Sequence, residues 1–288
     1  ELYPRETLWA SLLSAFGIAN RYAPEGGFGD GAAALSGQAL RNLAAEDIAR
    51  LLAERFVLPD GEAVETLVDL GLGGLLGIRG VRWHGPESGF QSYEQIADGR
   101  VYAGLAEARM TVHIFAGSHL EIDYAAEPHR ISDVMGYEGR RVSAGMTIVN
   151  GRTFILPYGR FGGGIAWSNA LMDPVRADVL RVVLREAAER LGFPAPAAIA
   201  GGAPHLSLHV FDTAAHGRVY ALVNASLDDI AGWSMHADGV PAGTWILRDR
   251  AHPAGRAVEA SIRDGALSFR ETIPPLSLVI AQPAMPNS

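Results

Sequence analysis

From Leu206 onward the chain is a train of short strand patterns at even spacing, and no segment there has the periodicity of a helix. The runs are Leu206–Phe211, Arg218–Asn224, Gly232–His236, Thr244–Arg248, Ala257–Ile262, Leu267–Thr272 and Leu276–Ala281, with turn residues between them. In the first run Leu206, Leu208 and Val210 alternate with His205, Ser207 and His209, the pattern of a strand with one buried face. Such a stretch has to fold into a β sandwich or a related meander. It follows Pro194–Pro204 (PAPAAIAGGAP), which has the composition of a linker. An antiparallel β domain is therefore expected over 205–288, a linker over 194–204, and a separate domain over 1–193. A chain of 288 residues is long enough for two cores.

The first part alternates strand and helix patterns. Leu8, Leu12, Leu13 and Phe16 lie at helical spacing before Gly17, and Ile18–Tyr22 predicts a short strand. Glu25–Gly31 (EGGFGDG) is a loop. Then come a strand at Ala32–Leu35, helices at Gln38–Leu43 and Ala45–Arg55, a strand at Val57–Pro59, and a helix at Glu62–Leu70 capped by Asp60. That order predicts a parallel sheet with helical crossovers. Beyond Val81 the texture turns to strands, at Arg109–Phe115, His119–Tyr124, Met146–Val149 and Thr153–Leu156, with Asn150-Gly151 as a hairpin turn. Asp173-Pro174 opens a helix with Val175, Val179, Val182, Val183 and Leu191 on its apolar side, ended by Gly192. The expected class is thus an α/β domain followed by an all-β domain.

Composition removes several chemistries. All 24 cationic side chains are Arg, so neither a Schiff-base lysine nor a P-loop lysine exists. There is no Cys, which excludes disulfides, thiolate metal sites and a cysteine nucleophile. The net charge of −8, with no basic stripe, argues against nucleic-acid binding. No apolar run reaches the roughly 18–20 residues a membrane span needs, and no signal peptide is visible, so the cytoplasm is the favoured compartment.

Several residues invite a functional reading. His119, Glu121 and Asp123 alternate with Leu120 and Ile122, so a strand projects all three from one face. An imidazole and two carboxylates suit a divalent metal, whereas a solvated strand face explains the same letters. Trp83, Trp167 and Trp233 are candidates for stacking on a sugar ring, with core packing as the ordinary alternative. Ser36 lies at a strand-to-helix turn, but Leu-Ser-Gly-Gln is not the Gly-x-Ser-x-Gly of a nucleophile elbow. Arg160–Trp167 (RFGGGIAW) lacks the G-x-G-x-x-G spacing of a nucleotide site. Asn224-Ala225-Ser226 is formally a glycosylation sequon. No cofactor is implied, and no two carboxylates can be paired from sequence into a glycosidase set.

Within Ala33–Ile78, the run LSGQALRNLAAEDIARLLAERFVLPDGEAVETLVDLGLGGLLGI resembles the glutamine-amidotransferase-like domain of bacterial glycoside hydrolases. The β-galactosidases of glycoside hydrolase family 42 show a similar order. There an LSG turn is followed by a helix with paired acids, a strand ending in Asp-Gly, and a helix into LG…LLG. Gly151–Tyr158 (GRTFILPY) looks like that domain's late strand. Val219–Leu227 (VYALVNASL) and Leu267–Ala281 look like the C-terminal β domain that follows. The resemblance implies a flavodoxin-like parallel sheet and then a small β sandwich. Without a cysteine the chain is not a glutaminase. The catalytic glutamates of such enzymes sit in an N-terminal (β/α)₈ barrel of roughly 250 residues, for which these residues leave no room. The expectation is therefore a non-catalytic, oligomer-forming accessory portion of a glycoside hydrolase. Its partner would be a barrel in the same or a companion polypeptide. The alternatives are a stand-alone carbohydrate-binding protein and a metal-dependent hydrolase built on His119, Glu121 and Asp123.

Overall fold

The computed structural model describes residues 6–21, 29–84, 93–99, 107–111, 118–136, 138–160, 173–201, 205–214 and 217–284. They form two compact units. One comprises Glu1–Trp9, Phe28–Val179 and Arg190–Phe193; the other comprises Ala10–Gly27, Leu180–Glu189 and Pro194–Ser288. The α/β-plus-β composition expected from the sequence is present.

Helix α1 (Glu6–Ala15), divided between the two units after Trp9, buries Trp9, Leu12 and Leu13, and β1 (Ala33–Leu35) opens the strands of the first unit. Next come α2 (Gly37–Arg41), α3 (Ala45–Glu54), β2 (Val57–Pro59) and α4 (Gly61–Asp69). The predicted apolar face of α3, Ile48, Leu51 and Leu52, is buried. Asp60 caps α4 as expected, its Oδ1 accepting from Ala63 N at 2.8 Å. A 3-10 turn (Gly73–Leu76) leads into β3 (Ile78–His84), β4 (Tyr93–Ile96), β5 (Arg109–Thr111) and β6 (Ser118–Tyr124). The strands continue with β7 (His129–Arg130), β8 (Ser132–Met135), β9 (Arg141–Ala144), β10 (Thr147–Val149), β11 (Thr153–Ile155) and β12 (Tyr158–Arg160). Helix α5 (Pro174–Leu191) follows, with Asp173 Oδ1 accepting from Val175 N at 2.9 Å.

These strands make three sheets, ordered β1-β2-β11-β10-β7, β12-β6-β3 and β5-β4-β8-β9. Parallel pairing is confined to β1, β2 and β11; β10 and β7 join antiparallel. The switch occurs at the hairpin predicted from Asn150-Gly151, where φ is 51° and 64°. A two-residue turn brings the chain back antiparallel, whereas parallel strands need a crossover. The parallel sheet expected from the strand–helix alternation is therefore three strands wide, because the alternation ends at α4. A core of Leu35, Leu40, Ile48, Val57, Val64, Leu67, Ile78, Leu120 and Ile155 fills the space between helices and sheets.

The second unit is built on β13 (Ala198–Ala200), β14 (Leu206–Thr213), β15 (Gly217–Asn224), β16 (Ile230–His236), β17 (Gly243–Arg248), β18 (Arg256–Arg263), β19 (Ala266–Ile273) and β20 (Ser277–Pro283). All seven predicted strands are present, and the order is β13-β16-β19-β18-β17-β20-β15-β14 with antiparallel pairing throughout. Strand β18 pairs β17 through Arg256–Ala260 and β19 through Ser261–Arg263, so one strand serves both halves. Leu208, Leu222, Val279, Leu247 and Val258 from one half meet Met235, Leu267 and Phe269 from the other. Trp245 lies edge-on to Phe269 with centroids 5.4 Å apart.

The segment expected as a linker contains β13. Its Ala-Ile-Ala carries no strand signal beyond one Ile, yet Ile199 is buried and pairs Met235. Gly17 makes room for it: a Cβ there would stand 2.6 Å from Ile199 Cγ1, and its φ is +64°. The strand expected at Ile18–Tyr22 amounts to a single bridge from Ile18 to Ala198.

Asn224, the sequon residue, is buried. Its amide donates to the carbonyls of Asp228 (2.9 Å), Ile273 (3.1 Å) and Pro274 (3.0 Å), and its Oδ1 accepts from Ser226 Oγ at 2.7 Å. It ties together the ends of β15 and β19. Asn224→Ala leaves three carbonyls without their donor and is expected to cost about 2–4 kcal/mol. Urea unfolding followed by tryptophan fluorescence measures this.

Candidate functional site

The polar side chains of the first unit converge where the β12-β6-β3 sheet meets the β5-β4-β8-β9 sheet. Tyr158, His119 and His84 stand in one cross-strand row, since Tyr158 pairs His119 and His84 pairs His119 in the two ladders. Directly opposed residues of an antiparallel pair point to the same face. Leu120 is thereby turned to the opposite face, into the core, as the alternation of β6 predicts.

Tyr158 donates to Glu94 Oε2 of β4 at 3.0 Å. Arg176 of α5 donates to the same oxygen at 2.7 Å, and both charged side chains are wholly buried. Glu94 Oε1 accepts from Ser132 Oγ and from Met146 N. The guanidinium also lies 5.5 Å from the Tyr158 ring centroid. Burial and the Glu94 carboxylate push the Tyr158 phenol well above its ordinary range. Burial opposes the charge on Arg176, but Glu94 outweighs it and holds the guanidinium protonated. Gly145 completes the cradle, because a Cβ there would fall 2.5 Å from both Glu94 Oε1 and Ser132 Oγ. Glu94 thus accepts from four donors on its two oxygens.

His119 reaches the facing sheet through Nε2, 2.8 Å from Ser143 Oγ on β9. Its ring stacks on His84 with centroids 4.8 Å apart and planes 10° from parallel. His84 Nε2 lies 2.6 Å from Glu121 Oε2, which also accepts from Arg82. Burial opposes the charge on Glu121, yet the bonds from His84 and Arg82 prevail and hold its carboxyl below the usual range. Burial, and next the neighbouring His84 ring, push His119 down from 6.5 to about 4.

The trio read from sequence is divided by this geometry. His119 is turned under β9, Glu121 is engaged by Arg82 and His84, and Asp123 lies 3.8 Å from Arg79 on the exposed side. Among the described residues no group of three or more His, Asp or Glu is placed to hold a metal ion. Cross-strand neighbours on β3, which the spacing within β6 does not reveal, account for the difference. Trp233 is corrected from a sugar-contact candidate to a core residue: it is 4% exposed, and Phe269 stacks on its face at 3.9 Å. Trp83 is half-buried against the α/β core, and Trp167 lies outside the described residues. Ser36 is fully buried at the start of α2, not raised on an elbow. Glu94, Ser132, Tyr158 and Arg176 were not singled out from sequence; the inward carboxylate in Tyr93–Ile96 is the one local signal that pointed to them.

No family model and no curated protein matches the sequence. Among solved structures, α-L-fucosidase isoenzyme 2 from Paenibacillus thiaminolyticus is similar over 98% of this chain and 45% of that chain, with a TM-score of 0.56 and 12% identity. The chain shares the fold of part of that fucosidase. It spans less than half the length of that fucosidase. Two further solved structures overlap smaller portions. The catalytic domain of GH30 xylanase C from Talaromyces cellulolyticus is 17% identical over 36% of this chain and 24% of its own, with a TM-score of 0.22. A GH30 endoxylanase from Clostridium papyrosolvens C71 is 13% identical over 46% of this chain and 33% of its own, with a TM-score of 0.23.

Removing the hub carboxylate takes from the wholly buried Arg176 the charge that lies 2.7 Å from it. Glu94→Ala is therefore expected to destabilise the first unit by about 3–5 kcal/mol. The double variant Glu94→Gln, Arg176→Met should cost clearly less than the sum of its single changes. Chemical denaturation followed by circular dichroism reads both.

Proposed function

We propose that this chain is the accessory portion of a carbohydrate-active glycoside hydrolase, similar to the amidotransferase-like and C-terminal β domains of family 42 β-galactosidases. The observation that carries the reading is the superposition of 98% of the chain on less than half of a fucosidase. The state of the seam carboxylates agrees with it. Glu94 is buried and saturated with donors, and Glu121 is engaged by Arg82 and His84, so neither is free to protonate a glycosidic oxygen or attack a sugar carbon. In this reading the first unit is a reduced flavodoxin-like domain, its parallel part limited to β1, β2 and β11. It supplies oligomer contacts and borders a catalytic barrel carried in the same or a companion polypeptide, and the β unit packs as a structural module.

A stand-alone sugar-binding role loses one of its three tryptophans to the β core. Hydrolysis of aryl fucosides and aryl galactosides by the purified chain tests the leading reading. The expected rate is that of buffer alone. Turnover that disappears in Glu121→Gln, or in any other single carboxylate variant, would overturn it.

A further inference from the structure

We propose that the His84–His119 stack is an acid-sensitive latch on the seam between the β12-β6-β3 and β5-β4-β8-β9 sheets, so that protonation of His119 parts β6 from β9. The inference does not depend on the accessory reading.

Two side-chain links cross this seam side by side, Tyr158 to Glu94 and His119 to Ser143. The first joins a phenol held well above its ordinary range to the buried Glu94–Arg176 pair. The second depends on an imidazole being neutral. His119 is fully buried, and its Nδ1 has no hydrogen-bond partner among the described residues. A neutral ring tolerates that arrangement, with Nε2–H donating to Ser143 Oγ and Nδ1 a bare nitrogen. Protonation places an N–H at Nδ1, where no acceptor faces it, and puts a cation in a site closed to water.

Among the described residues, the groups that favour that charge do not outweigh burial and His84. On β3, His84 stacks on the ring and the cationic Arg82 side chain stands nearby, both disfavouring a charge on His119. On β6, Glu121 is attractive but already accepts from both of these residues. On β4, Glu94 is attractive but is held by Arg176 of α5 and Tyr158 of β12. On β9, Ser143 is a neutral hydroxyl that accepts a bond but cannot balance a charge. Water is the remaining stabiliser, and reaching it requires the ring to leave its place under β9. The depression of His119 to about 4 by burial and His84 agrees with this geometry.

The sign follows from proton counting. Above 6.5 neither the folded nor the unfolded ring carries the proton, so this residue makes no pH-dependent contribution. Between 6.5 and about 4 the unfolded chain binds a proton that the closed seam refuses, and stability falls as pH falls. Across that window the unfolding constant rises by up to about tenfold per pH unit on account of this one residue. Below it the proton binds to both states and the contribution levels off.

The test uses the full chain from pH 7.5 down to pH 4, in wild type, His119→Gln and His84→Gln. Three readouts serve: the urea midpoint, hydrogen exchange of the β6 and β9 amides, and NMR titration of the His119 ring. In wild type, the protection factors of the β6 and β9 amides, taken against the intrinsic exchange rate at each pH, should fall on acidification before those of β14–β20, and the ring should titrate well below 6.5. His119→Gln should lose close to one proton's worth of acid slope. His84→Gln should move the His119 midpoint upward. An unchanged acid slope in a folded His119→Gln, or a wild-type ring titrating near 6.5 with no loss of protection in β6 and β9, overturns the proposal. Should His119→Gln fail to fold at pH 7.5, the wild-type ring titration and His84→Gln decide the matter.

Discussion

The buried ion pair between Glu94 and Arg176 is the interaction on which the first unit is organised. Its two charges are wholly removed from water, a situation that costs several kcal/mol per ion unless every lone pair and proton is satisfied. The surroundings meet the carboxylate's share of that demand from four directions: a hydroxyl on β8, a backbone N–H at Met146, a phenol on β12 and a guanidinium on α5. Each donor comes from a different element. The carboxylate therefore fixes where those elements stand relative to one another, something apolar contact, being non-directional, does far less sharply. Gly145 records the tightness of the fit, since the backbone passes where only a hydrogen clears the carboxylate.

Around that hub the two units illustrate different ways of holding strands together. In the second unit register is fixed by alternation alone: Leu208 pairs Leu222, which pairs Val279, and all three face one apolar core. Asn224 is the polar exception, and it sits at the end of the ladder to anchor loops. In the first unit the short strands of the β5-β4-β8-β9 sheet bury polar groups such as Glu94, Ser132 and Ser143. Specific donors and acceptors replace some of the apolar area that longer strands would bury, and this makes the seam sensitive to protonation state.

What the sequence revealed follows the range of the interactions involved. The strands of the β unit, the Asp60 cap, the Asn150-Gly151 turn and the inward Leu120 are set by neighbours a few positions away, and all four are legible in the residues. The candidate site is not. Glu94 lies 38 positions from Ser132, 52 from Met146, 64 from Tyr158 and 82 from Arg176, so no window of sequence contains the constellation. The His119, Glu121 and Asp123 set shows the converse failure. Spacing within β6 places the three on one face, as the structure does. The cross-strand partners Arg82 and His84 then decide what each can do, and they belong to β3. Strand β13 escaped notice because its small residues fit a linker as well as a strand.

The separations around Glu94 also govern the order in which the molecule can assemble. Its last partner arrives 82 residues later, so during synthesis the carboxylate and the ends of β4 must wait in a loose state until α5 has emerged. Three of the seven strand pairs in the second unit join strands consecutive in sequence, β14 with β15, β17 with β18 and β18 with β19, and close with short loops. Local pairings of that kind form fast, whereas distant ones are slow and leave strand edges open in the interval. The first unit, although made first, is the one that completes its structure under the heavier kinetic burden.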